Sequence, residues 1–239
     1  MQWKTSLTKI ENEKTFIHGQ PLEDLVKEKT FVEVVWFLFK ASWPTPAESK
    51  LLNTMFGSVI DHGVGTASAM TARTTASTGV SVQTAVAAGI LALGNKHGGA
   101  IEGAANLFKG IPDGADIAAF VKDTKTSKKR LPGFGHRVLA HDTRVNILFV
   151  VAKEAGHYGK YCIFAEKIAE ELAKQSSKPI PLNIDGAMAA VLLEIGIEPE
   201  IANGFFLIGR VPGLIAQIAE ELKQNNGLRR LEESEIVYE

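Results

Sequence analysis

The sequence predicts an all-α protein that carries one small β-hairpin at its N-terminus. Beyond the first twenty positions, Val, Ile and Thr hardly ever alternate with polar residues, whereas Ala, Leu, Glu and Lys recur at helical spacing. Helix-start signals also punctuate the chain at regular intervals. The exception is the opening stretch, where Thr5–Ile10 and Thr15–Gly19 form two short alternating segments around a polar turn.

Thr30-Phe31-Val32-Glu33 has the capping-box form, in which a hydroxyl and a carboxylate three residues on satisfy the first free amides of a helix. Thr45-Pro46-Ala47-Glu48 repeats it and adds proline at the first helical position, where its missing N–H costs nothing. Two helices therefore flank a turn at Trp43-Pro44. From Ala67 to Gly94 the chain is dense in Ala, Gly, Ser and Thr and breaks at Ser77-Thr78-Gly79, which predicts two buried helices in close approach.

Tyr161, Phe164, Ile168 and Leu172 mark an apolar stripe, and Asp185 to Ile195 reads as a buried helix. Pro199 and Pro212 each suit an early helical position, predicting separate helices over Pro199–Gly209 and Pro212–Lys223. Gln224 to Glu239 is a polar, extended tail. Loops are expected at Gly110–Gly114, Lys122–Gly135 and Gln175–Pro181, the first and third bounding a smaller helical subdomain.

The chain has 239 residues, 45% of them hydrophobic, which suits one domain or two small ones sharing a core. Its 26 Lys+Arg against 27 Asp+Glu leave a net charge of −1, which argues against a general nucleic-acid or membrane-surface binder. Cys162 is the only cysteine, excluding an intrachain disulfide framework and multi-cysteine metal sites and fitting a reducing compartment. Met1-Gln2-Trp3-Lys4 shows no secretory pattern, and the apolar runs Val32–Phe39 and Ala85–Leu93 are too short for a membrane span. A soluble, cytoplasmic protein is expected.

Of the six histidines, three stand out in short glycine-containing turns: His62 before Gly63, His97 before Gly98-Gly99, and His136 after Gly135. Glycine lets backbone approach a ligand, and histidine there can serve as acid, base or donor near neutral pH. One such histidine is ordinarily structural or solvated; three point to a site. No histidine pair has metal-ligand spacing, so no catalytic metal is expected. Cys162 lies in an amphipathic stretch and reads as core, and no serine has a nucleophile-elbow context. The glycine turns lack the βαβ setting of a dinucleotide fingerprint.

Acid–base chemistry remains. Asp185, in Asn183-Ile184-Asp185-Gly186, is either a helix N-cap or a partly buried carboxylate able to move a proton at carbon. Arg144, Arg210 and Arg230 are far apart in sequence; converging, they would imply a polycarboxylate ligand. Lys125, Lys128, Lys129 and Arg130 precede the His136 turn and are either a solvated face or a phosphate-binding cluster.

Leu131-Pro-Gly-Phe-Gly-His-Arg-Val138, Asp142-Thr-Arg144, Asn183-Ile-Asp-Gly186, Phe205-Phe-Leu-Ile-Gly-Arg-Val-Pro-Gly213 and His97-Gly-Gly-Ala100 resemble the citrate synthase superfamily in order and spacing. The resemblance runs from about Phe16 to the C-terminus and includes His18-Gly-Gln-Pro-Leu-Glu-Asp-Leu25. Much of that family's large domain is missing between Phe56 and Asp61. The compact form is similar to citryl-CoA lyases and to the C-terminal lyase module of ATP-citrate lyase.

The resemblance implies a citrate synthase-like fold in a homodimer or higher homo-oligomer, with a large domain of residues 1–98 and 197–239 and a small domain of residues 99–196. It implies an acid–base set of His97, His136 and Asp185, with His62, Arg144 and Arg210 on the dicarboxylate. Arg230 would reach across the subunit interface, with Arg229 as the competing choice. Lys125, Lys128, Lys129 and Arg130 would meet coenzyme A. The expected activity is cleavage of citryl-CoA to acetyl-CoA and oxaloacetate, with the coenzyme A thioester as substrate and no tightly bound cofactor. A ligase subunit that forms citryl-CoA is a possible partner; nucleic acid and membrane are not. A compact citrate or 2-methylcitrate synthase and a catalytically silent, coenzyme A-binding subunit remain as alternatives.

Overall fold

The computed structural model of the chain describes residues 2–127, 129–135, 141–177 and 179–239. It divides into two compact units, Met1–Thr54 and Met55–Glu239.

In the first unit, β1 (Thr8–Glu11) and β2 (Lys14–Ile17) pair antiparallel, with Thr8 opposite Ile17 and Glu11 opposite Lys14. The two turn residues, Asn12 and Glu13, both have positive φ, as a two-residue hairpin turn that follows the strand twist requires. A short β3 (Gln20–Pro21) adds to β2 and leads into α1 (Leu22–Glu28). His18 is structural: its Nε2 lies 3.1 Å from the Leu38 carbonyl and its ring meets Phe37 edge-on.

Both capping boxes form. At α2 (Phe31–Lys40) the Thr30 amide donates to Glu33 Oε2 at 2.8 Å and the Glu33 amide to Thr30 Oγ1 at 3.4 Å. At α3 (Pro46–Ser58) the Thr45 amide donates to Glu48 Oε2 at 2.7 Å and the Glu48 amide to Thr45 Oγ1 at 3.2 Å.

The second unit contains α4 (Ala67–Ala76), α5 (Val82–Leu91), α6 (Ala100–Lys109), α7 (Ile117–Thr126), α8 (Thr143–Glu154), α9 (Lys160–Gln175), α10 (Ile184–Glu194) and α11 (Pro199–Gln224). Its centre is α10, whose residues Ala187 to Leu192 are wholly buried among α6, α8, α9 and α11. The small residues of α4 and α5 pack those two helices on each other: a Cβ added at Gly89 would stand 3.0 Å from Ala72 Cβ and from the Ser68 carbonyl oxygen. Leu214 and Ile218 of α11 complete that cluster with Ala72, Ala76 and Ala85.

Three expectations are corrected. Residues 122–126, expected in a Lys122–Gly135 loop, instead form the second half of α7, because Asp116 caps the Ala119 amide and Ile117 and Val121 bury against α9. The stripe of α9 is centred on Cys162, Ala165, Ile168 and Leu172, with Tyr161 and Phe164 only partly covered at its side. Pro199 to Gln224 is one helix with Pro212 inside it. The proline removes the amide that Ile208 would accept from. Burial of Phe205, Phe206 and Arg210 before it, and of Gly213, Leu214 and Ile218 after it, holds the helix on both sides of that lost bond. By length and composition α11 could cross a bilayer, but half of its most apolar window is buried within the protein.

Gly209 and Gly213 lie one turn apart on α11 and let the segment from Phe56 to Asp61 cross the helix at backbone distance. A Cβ at 213 would stand 1.8 Å from the Ile60 carbonyl oxygen, and one at 209 would stand 2.6 Å from Val59 Cγ2. That approach allows Arg210 Nε to donate to the Val59 carbonyl at 2.7 Å. Gly213→Ala is therefore expected to destabilise the fold by about 1–3 kcal/mol, the usual cost of overpacking, read as a lower midpoint in chemical denaturation.

Candidate active site

An inner pocket of about 140 Å³ collects His62, His97, Arg144, Asp185 and Arg210. It shares His62, His97 and Asp185 with an adjoining cleft of about 1020 Å³ that extends to Lys125, Lys129 and Arg130. The larger space is at the upper end of what small-molecule sites occupy. Five side chains singled out in sequence thus surround one small cavity.

Asp185 lies in the first turn of α10 but does not cap it; Asn183 does, accepting from the Gly186 amide at 3.2 Å. The Asp185 carboxylate is not used as the cap and lines the pocket. Burial pushes its pKa up to about 6, against the pull of Arg144 and Arg210, and Asp142 adds to the upward push. A carboxyl near 6 can both give and take a proton close to neutrality.

Both arginines are held in place. Arg210 is 4% exposed, its guanidinium 4.7 Å from the Phe206 ring, and burial lowers its pKa against the opposing pull of Asp61 and Asp185. Arg144 donates through Nε and Nη2 to the two oxygens of Asp142, each at 2.8 Å, and through Nη1 to the Ser58 carbonyl at 3.1 Å.

His97 sits in a tight turn where Gly94 and His97 exchange backbone hydrogen bonds at 2.7 and 2.8 Å. Its Nε2 faces the buried Ser68, 3.3 Å from the amide and 2.8 Å from Oγ. An amide can only donate, so the neutral ring accepts at Nε2 and carries its proton on Nδ1. Ser68 is the second residue of α4, and its amide is one of the free donors of a helix N-terminus. Protonation of Nε2 would forfeit that bond and set a positive charge against the positive helix end.

The loop leading to position 136 is stitched to the start of α10. Gly135 donates to the Pro181 carbonyl at 2.7 Å, Asn183 to Gly133 at 3.0 Å, and the Asn183 Nδ2 to Gly135 at 2.8 Å. Gly133 has φ +82°, and a Cβ there would stand 2.6 Å from the Cα of Gly186. His136 itself and Lys128 lie outside the described residues.

At the far end of the cleft, Lys125 donates to the Gln175 carbonyl and, at 3.1 Å, to Ser176 Oγ, closing the C-terminus of α9. Lys129 and Arg130 are exposed on the cleft wall. Arg230 is exposed on the tail and is not among the residues that line the cleft. Its neighbour Arg229 is engaged, with Nε 2.6 Å from Glu221, which also receives Arg73 Nε at 2.7 Å.

Residues 42–232 match the citrate synthase C-terminal domain family. The chain belongs to the citrate synthase family. Among solved structures, the citryl-CoA lyase from Hydrogenobacter thermophilus is 40% identical with a TM-score of 0.91, covering 99% of this chain and 94% of that one. Citrate synthase from Thermoplasma acidophilum is 27% identical with a TM-score of 0.74, covering 88% of this chain and 57% of that one. A probable ATP-citrate synthase of Dictyostelium discoideum is 26% identical over 92% of this chain, which spans only 38% of that protein's length.

Within this citrate synthase family chain, the structure adds three residues that sequence reasoning passed over: Ser68 on His97, Asn183 between loop and helix, and Asp142 beneath Arg144. Asn183 and Asp142 stand inside recognised motifs; Ser68 is hidden in the small-residue stretch, where nothing local distinguishes it.

The ionisation of Asp185 has a stability consequence. Its pKa is 3.8 without the fold and about 6 within it, so between these values the unfolded chain has lost a proton that the folded chain keeps. Stability therefore falls as pH rises from about 4 to about 6 and stays lower above. Asp185→Asn is expected to be more stable than the parent at pH 7 by up to about 3 kcal/mol, with the gain vanishing near pH 4. Thermal melts across pH 4–8 check this.

Proposed function

We propose that this chain is a citryl-CoA lyase, cleaving citryl-CoA to acetyl-CoA and oxaloacetate. The observation that carries the reading is the inner pocket, where two arginines and His62 surround a space for a small dicarboxylate while His97 and Asp185 face the cleft that would hold a thioester. The near end-to-end match to a citryl-CoA lyase supports it.

In this mechanism, His136 takes the proton of the tertiary hydroxyl, the carbon–carbon bond breaks, and the electron pair passes to the thioester as an enolate. His97, with Nδ1–H as donor, stabilises the enolate oxygen, a preorganised dipole placed where charge develops. Asp185 then delivers a proton to the enolate carbon, releasing acetyl-CoA. Arg144, Arg210 and His62 hold the oxaloacetate carboxylates. Lys129 and Arg130, with Lys128, meet coenzyme A phosphates, while Lys125 orders the wall behind them. Run backwards, the same groups enolise acetyl-CoA and add it to oxaloacetate.

The same reading includes a large domain of residues 1–98 and 197–239, a small domain of 99–196, and a cytoplasmic homo-oligomer in which Arg230 reaches a neighbouring subunit. The lock on Arg229 favours Arg230 over it. A ligase subunit supplies citryl-CoA. The second reading, a compact citrate synthase, is favoured by the similarity to the Thermoplasma acidophilum enzyme. Incubation with citryl-CoA separates them: oxaloacetate as product is expected, free citrate would indicate a synthase that hydrolyses the thioester, and neither would indicate a silent coenzyme A-binding subunit.

Asp185→Asn is expected to lower the cleavage rate by about 10²–10⁴ while keeping coenzyme A affinity, as measured by steady-state kinetics and calorimetry. The double variant Lys129→Glu, Arg130→Glu is expected to weaken coenzyme A binding and to flatten its dependence on salt, as measured by titration at low and high ionic strength.

A further inference from the structure

Asp142 is a buried carboxylate, 1% exposed, to which the mechanism above gives no part. It stands where two helices begin. As the N-cap of α8 it accepts from the Arg144 amide at 3.2 Å, and it accepts from the Ile184 amide, the first residue of α10, at 3.1 Å. The same two oxygens take Nε and Nη2 of the Arg144 side chain. With Nη1 on Ser58, three of the five guanidinium N–H groups are engaged among the described residues, which leaves two for a ligand.

We propose that Asp142 is a positioning residue for the reaction, aiming the free N–H pair of Arg144 into the inner pocket and pinning the first turn of α10, and with it Asp185. This rests on the lyase reading. The physical case is that a bidentate pair fixes a guanidinium in plane as well as in distance, which a single hydrogen bond to a carbonyl does not. One anion between two helix N-termini also offsets their positive ends together with Arg144. Those positive groups would otherwise draw Asp185 toward permanent ionisation.

The charged groups around Asp185 act in both directions. Arg144 from α8 and Arg210 from α11 favour its carboxylate form, Asp142 opposes it, and Lys96, His62 and His97 line the same pocket. Removing the Asp142 charge leaves the arginines less opposed, so Asp185 ionises at lower pH. In cleavage Asp185 must hold its proton, and the rate falls as pH rises past its pKa. The fall begins earlier without Asp142.

Two variants of the full chain separate the two halves of this role. Asp142→Asn keeps an acceptor for Ile184 but turns amide hydrogens toward Arg144, breaking the fork. Ile184→Pro removes the α10 amide, together with part of a buried side chain, at a first helical position that tolerates proline and after a residue, Asn183, already extended with ψ 174°. For D142N we expect oxaloacetate affinity by calorimetry to fall, and KM for citryl-CoA to rise, on the order of 10-fold, with the alkaline limb of the kcat–pH profile moved to lower pH. For I184P, which leaves the Asp142–Arg144 fork in place, we expect a lower kcat with oxaloacetate affinity reduced less than in D142N. Folded D142N with parental affinity and an unmoved limb overturns the proposal; should D142N fail to fold, a parental kcat in I184P overturns it. Failure of the parent chain to cleave citryl-CoA would overturn the lyase reading and this role together, whereas cleavage by the parent with unaffected variants would overturn this role alone.

Discussion

The contact between Gly133 and Gly186 is the constraint on which the site depends. Neither has a side chain, so the loop backbone can lie directly on the first turn of α10, and the hydrogen bonds of Asn183 and Gly135 close around that contact. The start of α10 therefore cannot shift without carrying the loop that precedes residue 136. Because α10 is the most buried helix of its unit, the arrangement is anchored in the core and only its end meets the cleft.

Within that frame, the electrostatics of the site balance opposing tendencies. Burial discourages charge on Asp185 and on Arg210, yet each is near groups that favour its ionised form. A dicarboxylate entering between Arg144 and Arg210 would take up positive charge that otherwise stabilises the Asp185 anion. Binding of such an anion and the readiness of Asp185 to hold a proton would thus be coupled through shared arginines. The same desolvation that makes the carboxyl useful makes it costly to fold, as expected where function opposes stability.

Much of the architecture was legible because its determinants are local. Thr30 with Glu33 and Thr45 with Glu48 form capping boxes from residues three apart, and the paired positive-φ turn of the hairpin is a two-residue matter. Pro212 misled because the force that keeps α11 continuous comes from other helices, which a window of sequence does not contain. The second half of α7, residues 122–126, reads as loop because it is polar and charged, and the two residues that bury, Ile117 and Val121, both precede it. In the candidate site, motif order singled out Asp185, His97, Arg144 and Arg210, which line one pocket, whereas the contacts Ser68–His97, 29 positions apart, and Ile184–Asp142, 42 positions apart, belong to the folded chain alone.

Cys162 lies fully buried in α9, and burial, with Glu194 next in effect, holds its thiol well above the usual range. It is also the chain's only sulfhydryl. A thiol that is neither accessible nor ionised in the folded chain reacts only when α9 lifts away from the helices packed on it, α6, α7 and α10. The protein therefore contains a built-in clock for local opening: the rate at which a maleimide labels it counts how often the scaffold behind the cleft comes apart.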